Sequence, residues 1–278
     1  MAVLTTAVSR ERSPRGTTRV AVTLATVPST MAAPAQKPSQ LRAPTRLRWH
    51  LTPAGRASGG PDLSVFQYIA DNWDTLGPQT TTHLEIVGLS MLAAAVVGLA
   101  LGVLASRWER FAAASLAVTS TLLTVPSYAL FGLLTIWFGL GSQPVVVGLA
   151  LYALLPVLRN TRTGILAVDP SVVEAARGMG MSPLQILARV ELPLAVPVII
   201  AGLRQATVMV VAIATVGATV GANDLGQPIL SAVGRSSGTL ERLLSGMLPV
   251  AAIGILADLV LAGLQRLLSR GRVVVAAT

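Results

Sequence analysis

Few residues in this chain could do chemistry, and their types and spacing exclude most kinds of it. Of 278 residues, 12% are charged, two are histidine and none is cysteine. Without cysteine there is no disulfide and no thiolate metal site. His50 and His83 lie far apart in the sequence, so no metal ligands are expected. No Ser/His/Asp set and no pair of carboxylates has catalytic spacing, so no catalytic residue is expected either. There is no G-x-x-x-x-G-K-[ST] loop to cradle phosphates, and hence no bound nucleotide is expected on this chain. What remains is one charged island, DPSVVEAARGMGMSPLQILARVELP at 169–193, carrying Asp169, Glu174, Arg177, Arg189 and Glu191 between long apolar runs.

The signals inside the island are those of short helices. Ser171-x-x-Glu174 and Ser182-x-x-Gln185 both have the form of a capping box, a hydroxyl followed three residues later by a side chain that reaches back. Pro183 suits a first helical turn, where its missing N–H costs nothing. Gly178 and Gly180 allow the chain to reverse. The expectation is two capped helices joined by a Gly-Met-Gly bend outside the membrane, forming a docking element.

The elements around the island must be membrane helices. The chain is 53% hydrophobic with a mean hydropathy of +0.68, and several runs approach the ~20 residues that cross a ~30 Å hydrocarbon core. We expect an all-α polytopic membrane protein with five spans, at about 84–105, 112–139, 144–158, 205–222 and 243–265. Pro126 should kink the second, and Pro144 and Pro156 should bound the third. Gly98 and Gly102 form a small-xxx-small face in the first, read either as a close-packing surface or as ordinary membrane-helix composition. Arg204 would sit near an interface, where a long side chain can snorkel. Stretches 139–144 and 221–228 read as loops.

Residues 1–62 stand apart. They hold nine of the chain's basic residues and no sustained apolar period, so disorder is expected. This tail is read either as a mis-start, with the true start downstream (for instance at Met31), or as a basic arm touching anionic lipid headgroups. Val20–Val27 is too short for a span, and no signal peptide is expected. The body then runs over 63–270, with 271–278 as a C-terminal tail. Because the basic excess is confined to the tail, nucleic acid is not an expected partner. Arg107 and Arg110, the arginines at 159–189, and those closing the chain fall on one side if five helices cross. That side is the cytoplasm by the positive-inside rule, which places the N-terminus outside and the C-terminus inside.

Within the apolar runs, Asp258 is the costly residue and therefore a functional candidate. It could attract a cationic solute from a water-filled cavity, or pair with Arg204 or the Arg266 region. Tyr128 joins it as a candidate for the substrate pathway. With aromatics at 4%, the chain is poorly supplied for an aromatic cage around a quaternary ammonium. His83 and Glu85, at the start of the first span, read as interfacial.

Glu174-Ala175-Ala176, three residues, Gly180, nine residues, then Val190-Glu191-Leu192-Pro193 resembles the EAA signature of bacterial ABC-importer permeases, with Val190 where isoleucine is usual. Residues 159–208 are similar to permeases of the glycine betaine, proline, choline and carnitine group, as more weakly are 124–134 and the Gly217–Leu225 loop. Asn223-Asp224 stands where that group more often has glycines. The resemblance covers roughly 63–270. It implies an ABC type I importer transmembrane domain in the bacterial cytoplasmic membrane, importing an osmoprotectant. It further implies a second permease subunit, identical or paralogous, and an extracytoplasmic binding protein. Cytoplasmic ATPase subunits would hold ATP and Mg and receive the loop at 169–193, with Glu174, Ala175, Ala176, Gly180, Leu192 and Pro193 as coupling residues. The alternatives are the same machinery with another solute, such as methionine or an alkyl sulfonate, and a self-sufficient secondary transporter.

Overall fold

The computed structural model describes residues 7–12, 18–23, 61–233 and 239–269. The chain divides into two units, Met1–Gly55 and Arg56–Thr278. In the first, strand β1 (Ala7–Arg12) pairs antiparallel with β2 (Thr18–Thr23), Ala7 opposite Thr23 and Arg12 opposite Thr18. This hairpin falls in the segment expected to be disordered; residues 1–6, 13–17 and 24–60 of that tail, His50 among them, lie outside the described residues, as does the tail 271–278.

The second unit is helical throughout its described residues. Helix α1 (Pro61–Asp71) leads into α2 (Trp73–Arg107), followed by α3 (Glu109–Thr124), α4 (Ser127–Phe138) and α5 (Ser142–Leu166). The island then gives α6 (Pro170–Gly178) and α7 (Pro183–Ile186), which continues through a π turn (Leu187–Glu191) into α8 (Leu192–Ala214). A 3-10 turn (Thr215–Val220), α9 (Gly226–Ala232) and α10 (Thr239–Ser269) complete the fold. Among the described residues, four stretches are long and apolar enough to cross a membrane, or five if the bent α3–α4 pair is one span.

The helices depart from the expected spans at the prolines. At Pro126 the chain does not merely kink: α3 and α4 meet at 102°. A proline disfavours the helical conformation of the residue before it, and Val125 is accordingly extended, with φ −70° and ψ 129°. Its carbonyl accepts a hydrogen bond from the Tyr152 hydroxyl at 2.7 Å, tying the corner to α5. Pro156, by contrast, does not end its helix, and α5 runs on to Leu166. Asn160 donates to the Pro156 carbonyl at 2.8 Å, and Thr161 to that of Val157 at 2.7 Å. The apolar run after the island is likewise longer than the expected 205–222, because α7 and α8 are continuous.

Helix α5 is central. Some 61% of its most apolar window is buried, against 0% for α10. The core joins Ile86 and Ala94 of α2, Phe131 of α4, Val145, Leu149 and Val157 of α5, and Val210 of α8. Gly98 and Gly102 serve as a close-packing face. A Cβ on Gly98 would lie 2.8 Å from Val157 Cγ1, and one on Gly102 2.4 Å from Thr161 Cβ. Outward, Ile136 and Trp137 of α4 and Ile255, Leu256 and Val260 of α10 are exposed. Such apolar surface suits hydrocarbon or a partner subunit and not water.

Candidate functional site: the charged island and the polar pairs at each end

Helix α6 starts earlier than expected. The Asp169 carboxylate, not Ser171, caps it, accepting from the Ser171 N–H at 2.8 Å. With Pro170 in the first helical position, Ser171 is already inside the helix and its proposed box with Glu174 does not form. The backbone and side-chain hydrogen bonds from Ser171 hold the Asp169 carboxyl below the usual carboxylate range, outweighing a small effect of burial. Since the folded value is lowered, the cap is intact above the ordinary aspartate range and is lost as pH falls through the lowered value. Protection of the Ser171 and Val172 amides against exchange, taken relative to their intrinsic rates, should therefore fall in acid, and an Asp169→Asn variant, which keeps the acceptor, should abolish that pH dependence.

The end of α6 is a Schellman arrangement: Met181 N–H donates to Ala176 O at 3.2 Å and Gly180 N–H to Arg177 O at 3.0 Å. Gly180 carries the left-handed φ of +81° that this reversal needs. The second box is present as expected, with Ser182 N–H donating to Gln185 Oε1 at 2.8 Å and Gln185 N–H to Ser182 Oγ at 3.3 Å. What differs is that α7 is not a separate helix. Leu192 N–H donates to Leu187 O, the i to i−5 bond of the π turn. This wider turn accommodates Pro193, which has no N–H to donate and whose ring would press on the preceding turn.

The six candidate coupling residues separate into two layers. Glu174, Ala175 and Gly180 are exposed, while Ala176 is buried and Leu192 and Pro193 are half-buried. Among the described residues Glu174 makes no ion pair or side-chain hydrogen bond. Beside it Met179 and Leu184 are 76% and 74% exposed, so the outer layer combines one free carboxylate with apolar knobs.

Two further residues anchor the island, and neither stood among the candidates. Arg107, at the end of α2, holds buried Glu191 through two hydrogen bonds, Nη1 to Oε1 at 3.2 Å and Nη2 to Oε2. Its only advance signal was a carboxylate inside the EAA stretch next to an apolar run. The neighbouring Arg162 donates to Ala105 O at 3.1 Å and to Glu109 at 2.5 Å. Arg107, Arg162 and the island thus share one end of the bundle.

Asp258 is occupied. Arg204 grips it with Nε to Oδ1 at 2.8 Å and Nη2 to Oδ2 at 2.9 Å, and Gln265 accepts from Arg204 Nη1 at 3.0 Å. The pair clamps α8 to α10, so the carboxylate offered for a cationic solute is already met by a cation, and Arg204 is paired instead of snorkelling. Tyr128 lies exposed on the first turn of α4.

At the other end, His83 is fully buried, with Asp224 packed against it. His83 Nδ1 lies 3.4 Å from Asp224 Oδ2, Asp224 Oδ1 accepts from Gly226 N–H at 3.0 Å, and Gln79 donates to Asn223 Oδ1 at 3.4 Å. The loop's departure from glycine at Asn223-Asp224 is therefore a matched departure: both residues find partners on α2. Gln79 Oε1 and His83 Nε2 are buried without a partner among the described residues. No group of three or more His, Asp or Glu among those residues could hold a metal ion.

Residues 86–274 match the family described as binding-protein-dependent transport system inner membrane component. The chain is 39% identical over 202 residues to the glycine betaine/carnitine/choline transport system permease protein OpuCD of Bacillus subtilis (strain 168), covering 73% of this chain and 88% of that protein. It is 37% identical over 212 residues to the osmoprotectant import permease protein OsmW of Salmonella typhimurium, covering 74% and 98%. Among solved structures, an inward-facing conformation of the MetNI methionine ABC transporter aligns with a TM-score of 0.61 at 21% identity, covering 70% of this chain and 96% of that one. At that identity the likeness speaks for the fold alone.

Proposed function

We infer that this chain, which belongs to the binding-protein-dependent transport system inner membrane components, is the membrane-spanning subunit of an ATP-driven importer of osmoprotectants such as glycine betaine, proline, choline or carnitine. The observation that carries this reading is the 37–39% identity to osmoprotectant permeases over about nine-tenths of their length. The likeness to a methionine transporter, at 21% identity, gives no comparable support for that solute. As a permease subunit the chain moves solute and performs no reaction of its own. ATP and Mg would be held by a separate ATPase, a binding protein would deliver the solute, and a second permease subunit would complete the pathway.

The island is the ATPase-docking element in this reading. Its exposed layer of Glu174, Ala175 and Gly180, flanked by apolar Met179 and Leu184, supports it: a small, flat surface with protruding apolar side chains fits a groove. Ala176, Leu192 and Pro193 form the base through which movement reaches α8. The arginines gathered at this end support a cytoplasmic location by the positive-inside rule, with the C-terminus inside and the N-terminus outside.

The test is ATP-dependent uptake of labelled glycine betaine by the reconstituted complex, with Gly180→Val as its companion. No atom would crowd a Cβ at Gly180, but its φ of +81° costs a β-branched residue about 1–3 kcal/mol. That is enough to spoil the reversal without unfolding the bundle. Uptake should need ATP and the ATPase, and Gly180→Val should abolish it at normal membrane levels. Uptake that persists without the ATPase would support a secondary transporter and overturn the proposal.

A further inference from the structure

The end opposite the island carries a polar cleft that none of the assignments above uses. It has a volume of about 240 Å³ and lies between α1, the start of α2, α9 and the start of α10. Tyr68, Gln79, Gln227, Ser231 and Arg242 are among its lining residues, and none of the lining residues is acidic. Arg242 is half-buried, and among the described residues no carboxylate pairs with it and no side chain accepts from it. Glu241, next in sequence, projects from a different face of α10, since adjacent helical residues do not face each other. Arg107, Arg162 and Arg204 each meet a carboxylate; among the described residues Arg242 does not, and it lines a cleft. Arg242 therefore leaves a planar fork of donors without an anion, in a cleft sized for a small molecule.

A second observation lies in the same wall. Gln79 is 6% exposed, and its Oε1 is buried without a donor among the described residues, so the wall of the cleft contains an acceptor with unused capacity. Tyr68 contributes the one aromatic ring, whose face suits a quaternary or other soft cation.

Resting on the reading of the chain as an osmoprotectant permease, we propose that this cleft is an entry site for the carboxylate of a small zwitterion, held by Arg242. The solute's cationic end lies toward Tyr68. Guanidinium and carboxylate match as forks, which makes such a contact selective as well as strong. Solutes with a carboxylate, such as glycine betaine, carnitine and proline, use it; choline, which has none, does not.

The experiment compares uptake of glycine betaine and choline by the intact reconstituted complex, wild type against Arg242→Gln. Losing a charged hydrogen-bonded contact should raise the glycine betaine KM about 10- to 100-fold, with the choline KM within about twofold. Choline uptake also reports that the variant is folded and coupled. Should Arg242→Gln fail to reach the membrane, Arg242→Lys serves: it keeps the charge and loses the fork, so the glycine betaine KM should still rise several-fold and that of choline should not. Equal effects on both solutes, as expected if Arg242 met a carboxylate of the binding protein, would overturn the proposal. So would no effect on either. A wild-type complex that carries neither solute would instead refute the osmoprotectant reading.

Discussion

Arg107→Ala should loosen the island while leaving the helix bundle intact. The substitution strands the Glu191 carboxylate, whose side chain is 7% exposed, without its counter-charge. Breaking a fully buried pair costs about 3–5 kcal/mol. The Arg107 side chain is 40% exposed, so water reaches one partner and the expected cost falls to roughly 2 kcal/mol. Amide exchange should accelerate across 183–195 and stay unchanged in α5, and ATP hydrolysis in the reconstituted complex should become less dependent on solute. Glu191→Gln should be milder, because an amide can still accept from the guanidinium. The double variant Arg107→Ala, Glu191→Leu should recover most of the lost stability, since no orphan charge remains. Unchanged exchange at 183–195 in Arg107→Ala would show that the pair does not anchor the island.

The second large effect belongs to Gly102. Its Cβ would sit 2.4 Å from Thr161 Cβ, 2.7 Å from Thr161 Cγ2 and 3.0 Å from the backbone oxygen of Leu158. A flexible side chain could swing aside, but a backbone oxygen and the Cβ of a fully buried threonine cannot. Gly102→Val must therefore push α2 off α5, the largest contact in the bundle, at an expected cost of 3 kcal/mol or more, the upper end of about 1–3 kcal/mol for overpacking. Folded protein in the membrane should fall severely, read as monodisperse protein after mild detergent extraction. Gly102→Ala combined with Thr161→Gly should recover much of it by removing the principal clash. Gly88→Val and Gly132→Val are the controls: no atom lies within 4 Å of a Cβ at either, so both should accumulate normally. A normally accumulating Gly102→Val would contradict the packing described for these helices.

What could be read in advance was local. The Ser182-Gln185 box and the Gly180 reversal each rest on a few adjacent residues, and the structure keeps both; the kink expected at Pro126 is instead a 102° corner between two helices. Asp169 displaced Ser171 as the cap through equally local chemistry, because an Asp-Pro pair fixes a helix start as firmly as a serine box. The Gly98–Gly102 spacing announced a close approach but not that α5 would supply it. Contacts between distant residues were legible only where cost forced a partner. An acid and a base isolated in apolar runs, Asp258 and Arg204, invited pairing across 54 positions. The Arg107–Glu191 pair spans 84 positions and His83–Asp224 spans 141. In both, the residues lie beside polar stretches where solvent was an equally good partner, so nothing local distinguished the two outcomes. The length of α5 was misjudged for a related reason. Pro156 is buried among neighbouring helices, whose packing offsets the one helical hydrogen bond it removes, so the proline does not act as a terminator.

The π turn at 187–191 also sets an angular phase. An α-helix turns about 100° per residue, and one extra residue held in a single turn offsets everything beyond it by about that angle. Side chains of α7 and α8 therefore follow two separate helical wheels that share one axis. Were the extra residue absorbed into regular helix, Ser182, Leu184 and Ile186 would be carried round the axis by about a quarter turn relative to Arg204. The orientation of the proposed docking face and the orientation of the α8–α10 clamp are thus a single geometric quantity, fixed by where one surplus residue is stored.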